Sequence, residues 1–61
     1  MNGKQIIKIL KSEGWEIIRI SGSHHRMAKG NKRTTVPVHG SRDLDAKTFR
    51  TIENQTGVKL K

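Results

Sequence analysis

The sequence predicts an α+β domain of order α-β-β-β-α, a three-stranded antiparallel sheet with two helices on one face. Three observations carry this expectation. Each end of the chain holds an apolar stripe at helical spacing, bracketed by an N-cap residue and a glycine stop. The middle breaks into three short runs, the first and third rich in β-branched residues. Ser21-Gly22-Ser23 and Gly30-Asn31 separate those runs at hairpin spacing. At 61 residues, with no linker, repeat or low-complexity segment, one domain across residues 1–61 is expected.

The first helix begins at Asn2, whose side chain can cap while Gln5 returns the bond in a capping box. Met1 before the cap and Ile6 four residues after it form a hydrophobic staple. Ile6, Ile7, Ile9 and Leu10 share a stripe, and Lys4, Lys8 and Lys11 point elsewhere. Gly14 suits the left-handed residue past the helix end, and Trp15 folds back onto Leu10 as in a Schellman motif. Trp15 is therefore a packing residue.

A first strand follows over residues 15–20. Strict alternation puts Ile18 and Ile20 on one face and Trp15, Ile17 and Arg19 on the other. A second strand over residues 24–29 pairs back through the Gly22 turn. The third covers residues 33–39, with Thr34, Val36 and Val38 on one face and Thr35, Pro37 and His39 on the other. Pro37 has no N–H to give a ladder, so this strand belongs at a sheet edge. The closing helix starts at Asp45, with Leu44 and Phe49 as its staple. Phe49 and Ile52 face inward, Gly57 stops the helix, and Val58 reaches back to Ile52. Both helices on one face of the sheet bury every stripe, which is the architecture of a double-stranded-RNA-binding-like domain.

Thirteen Lys and Arg against five acids give a net charge of +8. The charge is also segregated. Between Ile17 and Arg42 no acid occurs, yet Arg19, Arg26, Lys29, Lys32, Arg33 and Arg42 and all three histidines fall there. A field so one-sided attracts polyanions, nucleic acid foremost. Only Trp15 and Phe49 are aromatic, a poor supply for stacking single-stranded bases. No cysteine excludes disulfides and thiolate metal sites and fits a reducing compartment. No apolar run approaches a membrane span and no signal-peptide core follows Met1, so a cytoplasmic protein that meets no membrane is expected.

If Met27 points into the core, His25 shares its face, and His24 and Arg26 face away beside Arg19. An exposed imidazole then stands among guanidinium groups. Arginine matches phosphate oxygens with paired donors, and an imidazole titrates near physiological pH and accepts a proton from a hydroxyl. RNA carries such a hydroxyl at its 2′ position, next to its own scissile phosphate. Orienting that oxygen for in-line attack needs neither a metal nor a protein nucleophile, so no cofactor is expected. A metal on His24, His25 and His39 is disfavoured by the surrounding cations and the lack of neighbouring acids.

The chain resembles the HicA family of bacterial toxins over nearly its whole length. Gly14-Trp15 with Arg19, Gly22-Ser23-His24, Val36-Pro37-Val38-His39, Leu44 and residues 48–57 carry the resemblance. It implies a double-stranded-RNA-binding-like fold and a small mRNA interferase that cleaves mRNA without a ribosome. It also implies one working histidine, His24, and neutralisation by a HicB antitoxin that binds the toxin and covers that histidine. Met27 departs from the family, which commonly has an aromatic residue there; methionine still fills an apolar site.

The expected function is an RNA endonuclease toxin of a toxin–antitoxin pair, with His24 as general base on the 2′-hydroxyl or general acid toward the leaving 5′-oxygen. Arg19 and Arg26 orient the phosphate, and Ser23 either donates to it or caps the turn. Lys29, Lys32, Arg33 and Arg42 supply sequence-independent backbone attraction. His25 is structural, and His39 either supports the site or decorates the surface. The rival reading is a non-catalytic RNA-binding module that recognises duplex by shape. DNA binding ranks third, since no basic recognition helix is apparent. A toxin this cationic calls for an acidic patch on its antitoxin.

Overall fold

A computed structural model describes residues 1–60. The order is α1 (Gly3–Ser12), β1 (Glu16–Ser21), β2 (His24–Lys29), β3 (Lys32–Pro37) and α2 (Ala46–Thr56). The three strands form one antiparallel sheet in the order β1-β2-β3. This is the α-β-β-β-α arrangement that the sequence predicts. Pro37 ends an edge strand, where a missing N–H costs no ladder bond.

Local chemistry sets the ends of α1. The Gln5 N–H donates to Asn2 Oδ1 and the Asn2 N–H donates to Gln5 Oε1, both at 2.9 Å, closing the capping box. At the other end Gly14 adopts φ 96°. The Trp15 N–H then reaches the Leu10 carbonyl at 3.0 Å and the Gly14 N–H that of Lys11 at 3.1 Å. This crossed pair is a Schellman stop. It delivers Trp15 into the core and delays the strand to Glu16, one residue later than alternation suggests. Met1 does not act as a buried staple, being 38% exposed. Its carbonyl accepts from the Leu44 N–H at 3.1 Å, and its ammonium lies 3.4 Å from Asp43. The N-terminus is thus fastened to the loop that leads into α2.

Both hairpins turn through two residues with glycine first, Gly22-Ser23 and Gly30-Asn31, each glycine at φ 58°. Glycine at the first central position with positive φ is the II′ arrangement, whose twist suits paired strands. β3 stops at Pro37, short of the expected His39, although Val38 still donates to the Ser23 carbonyl at 2.7 Å.

The faces of β1 depart from strict alternation. Ile17 pairs with Met27 but Arg19 pairs with Arg26, so Ile18 is an extra residue in a β-bulge. Paired residues share a face. Ile17 therefore joins the core side with buried Met27, while Arg19 points away from it. Ile20, expected on the face of Ile18, lies across from His25 on the core side yet stays 59% exposed at the uncovered edge.

The helices meet the sheet on the side of Met27 and Val36, both fully buried. Ile6, Ile7, Leu10, Trp15, Ile52 and Leu60 complete the cluster, with Phe49, Leu44 and Val58 among those packed on its rim. Asp45 is the N-cap of α2 without a capping hydrogen bond from its side chain. The Thr48 hydroxyl beside it holds its carboxyl below the usual carboxylate value. Gly57 ends the helix at φ 71°. The chain then folds back, and Leu60 enters the core at 1% exposure. Its N–H donates to Glu53 Oε2 at 3.1 Å. Burying a leucine contributes about 1.5–3 kcal/mol, a large share for so small a domain.

Gly3 is buried where the first turn of α1 sits on the end of β3. A Cβ there would run into the Pro37 carbonyl oxygen and meet Val38 Cγ2 at 2.9 Å. Ordinarily Gly→Ala within a helix stabilises by up to ~1 kcal/mol. Here Gly3→Ala is expected to destabilise by about 1–3 kcal/mol through overpacking. The denaturant midpoint should therefore fall; a raised midpoint would show that the two backbones are not in tight contact.

Candidate functional site

The bulge in β1 and the pairing of β2 build two cross-strand rows on the face turned away from the helices. One row is Ser21, His24 and Pro37; the next is Arg19, Arg26 and Thr35. His24 and Arg26 are two residues apart on one strand face, roughly 7 Å along the strand. Arg19, Ser21, His24, Arg26 and Thr35 together line a shallow concavity of about 230 Å³. Three of these, Arg19, His24 and Arg26, are the residues that sequence reasoning groups around the phosphate. Ser21 and Thr35 add hydroxyls it did not assign, although alternation on the third strand already turns Thr35 outward.

The two adjacent histidines diverge. His24 is exposed and no hydrogen bond among the described residues engages its ring, so both nitrogens are available to a ligand. His25 is half-buried on the core side, and its Nδ1 lies 3.3 Å from the Ser23 carbonyl oxygen across the turn. His39 follows the end of β3 in an exposed loop and does not line the concavity. Among the described residues no three His, Cys, Asp or Glu side chains converge as a metal site would require.

Electrostatics distinguish this spot from an ordinary sheet surface. Arg19 and Arg26 face each other directly across the ladder, and among the described residues neither forms an ion pair. Like charges in register destabilise a sheet. The pair is therefore an uncompensated demand for an anion, with an imidazole at its edge. Such an arrangement can hold a phosphate by several charge-assisted bonds and exchange a proton beside it.

The remaining expected contacts are spread out. Ser23 stands in the turn rather than in the concavity, and its carbonyl takes the Val38 and His25 contacts already described. Arg33 donates through one guanidinium nitrogen to the carbonyls of Gly30 and Lys32, at 2.8 and 2.9 Å, and lines an adjoining depression. Lys29 and Lys32 pair at the far hairpin, five residues along β2 from His24, roughly 17 Å away. Arg42 is exposed in the loop between β3 and α2. A separate hollow of about 480 Å³ at the C-terminal end of α2 includes Glu53 and none of these groups.

A family model described as the HicA toxin of bacterial toxin–antitoxin systems matches residues 3–58. The chain is a member of the HicA toxin family. Comparison with curated proteins found no match. The family's toxin–antitoxin setting implies an antitoxin partner. No helix among the described residues is long and apolar enough to cross a membrane.

The Arg19–Arg26 pair generates a test of stability against function. Arg26→Ala should leave thermal stability unchanged or raise it, by about 0.2–1 kcal/mol, while weakening the capture of anions. A marked fall in melting temperature would instead make Arg26 a structural residue.

Proposed function

We propose that this HicA toxin is an mRNA interferase, an RNA endonuclease that cuts without a metal or other cofactor and works in the cytoplasm. The observation that supports it best is the unpaired Arg19–Arg26 couple set beside the exposed His24 in one concavity. The guanidinium groups grip the non-bridging oxygens of a phosphodiester and offset the charge that builds on them in the transition state. The 2′-oxygen attacks the adjacent phosphorus as the bond to the 5′-oxygen breaks. One proton leaves the 2′-hydroxyl and another reaches the departing 5′-oxygen; His24 carries one of these transfers. The products are a 2′,3′-cyclic phosphate and a 5′-hydroxyl. Thr35 and Ser21, which line the concavity, donate to phosphate oxygens in this reading, a role the sequence offered to Ser23 alongside capping the turn.

The antitoxin, HicB-like by the family's pattern, binds over His24 in this reading. Ile18, the bulged residue beside Arg19, is 51% exposed. An apolar side chain beside a cationic hollow suits a partner that combines a buried apolar contact with an acidic patch. The complex should then dissociate more readily as salt rises; an affinity independent of ionic strength would remove the acidic patch from this account.

The non-catalytic alternative separates from this reading in one assay. Purified protein is incubated with single-stranded RNA in the presence of chelator, and the ends of the fragments are identified. Cyclic phosphate and 5′-hydroxyl ends, lost in His24→Ala by at least about 100-fold, the lower range of acid–base catalysis, are the expected result. RNA that is shifted on a gel but never cut would leave an RNA-binding module. Greater loss in His25→Ala than in His24→Ala would reverse the assignment of the two rings.

A further inference from the structure

The concavity at His24 does not end at β3. Arg26 and Thr35 also line a second depression, about 370 Å³, together with Arg33, Thr34, Thr51 and Gln55. Thr51 in turn borders a third, about 330 Å³, that runs along α2 past Lys47, Arg50 and Asn54. Shared residues join the three hollows in series. The result is a groove from the outer face of the sheet, over its β3 edge, onto the exposed side of α2.

The floor and walls of this groove have one chemical character. Five cations line it in order, Arg19, Arg26, Arg33, Lys47 and Arg50, and among the described residues no carboxylate lines any of the three hollows. Between the cations stand hydroxyls and amides. The middle section is held in shape from below. The Thr34 hydroxyl donates to Gln55 Oε1 at 2.9 Å, pinning α2 to β3 and leaving the Gln55 NH₂ as a donor. The Arg33 guanidinium is anchored on two backbone carbonyls and keeps its remaining nitrogens for a ligand. Cations at intervals along a narrow path, with neutral donors between them and no aromatic platform, match a run of phosphates rather than a base-reading surface.

We propose that this groove is the track of a single RNA strand, in which Lys47 and Arg50 of α2 hold phosphates several positions from the scissile bond. The proposal rests on the ribonuclease reading and extends it: α2, which sequence reasoning treats as packing alone, is part of the substrate site. The molecule measures 28 Å along its longest axis. A groove within that length serves roughly four nucleotides, the low end for single-strand sites on small domains. Longer substrates then gain affinity from the distal cations, and a dinucleotide gains none.

The test compares the double variant K47Q/R50Q with K8Q/K11Q, which removes the same charge from α1 outside the groove. Binding is measured by fluorescence anisotropy with a labelled single-stranded RNA of about ten nucleotides, in a His24→Ala background so that nothing is cut. K47Q/R50Q should weaken binding about tenfold at low salt. It should also lower the salt slope by about 1.4, two contacts at about 0.7 each. In the cutting-competent background it should raise KM for the long RNA with kcat unchanged and leave dinucleotide cleavage as in the parent. Equal losses in K8Q/K11Q would reduce the effect to net charge and overturn the track. So would equal losses on long and short substrates, or no loss at all. If the parent protein never cleaves RNA yet binding depends selectively on Lys47 and Arg50, the nuclease reading fails and the track stands. If the parent cleaves and these residues are indifferent, the track alone fails.

Discussion

Everything on the outer face of the sheet depends on one extra residue in β1. Met27 must sit in the core, and Ile17 pairs with it; two positions later Arg19 pairs with Arg26, on the opposite side. A regular strand cannot turn residues two apart to opposite faces. The bulge at Ile18 absorbs the mismatch and flips the remainder of the strand. Without it, either Ile17 leaves the core or Arg19 enters it. The anion-seeking pair at the concavity exists because the ladder tolerates one break.

That outer face is costly for a domain of this size. Below about 70–80 residues a single core rarely supplies more than ~3–5 kcal/mol, and here two guanidinium groups face each other with no carboxylate partner among the described residues. The compensation is found in local geometry elsewhere. The two ends of α1 satisfy their own backbone donors and acceptors through Asn2, Gln5 and Gly14. Gly3 lets α1 approach β3 until their backbones touch, and the tail after Gly57 turns back to bury Leu60. Stability is concentrated on the helix side of the sheet, and the facing arginines are kept on the other side.

Membership of the HicA toxin family and the geometry of the concavity are independent observations that support one reading. The family supplies a toxin with an antitoxin partner. The surface supplies two facing arginines with an exposed imidazole in one concavity, which suits the anion binding and proton transfer proposed. An enzyme that borrows its nucleophile from RNA needs little more than orientation and charge, which is why so short a chain can suffice for the chemistry proposed.

The sequence by itself determined the features that rest on neighbours along the chain. The capping box, the Schellman stop at Gly14, the two glycine turns and the divergence of His24 from His25 all follow from contacts within a few residues, so composition and spacing reveal them. Thr35 on the outer face was equally legible from alternation. Tertiary structure decided the rest. Whether β1 carries a bulge depends on which residue of β2 its core side must meet, and no pattern inside residues 16–21 encodes that partner. The need for glycine at position 3 arises from Pro37 and Val38, and the burial of Leu60 from the packing of both helices. The series of hollows reaching Lys47 and Arg50 exists only where α2 lies against β3, from which a loop separates it in the chain. Local hydrogen bonds and turn angles can be read from adjacent letters; a surface shared by distant segments appears only once they pack.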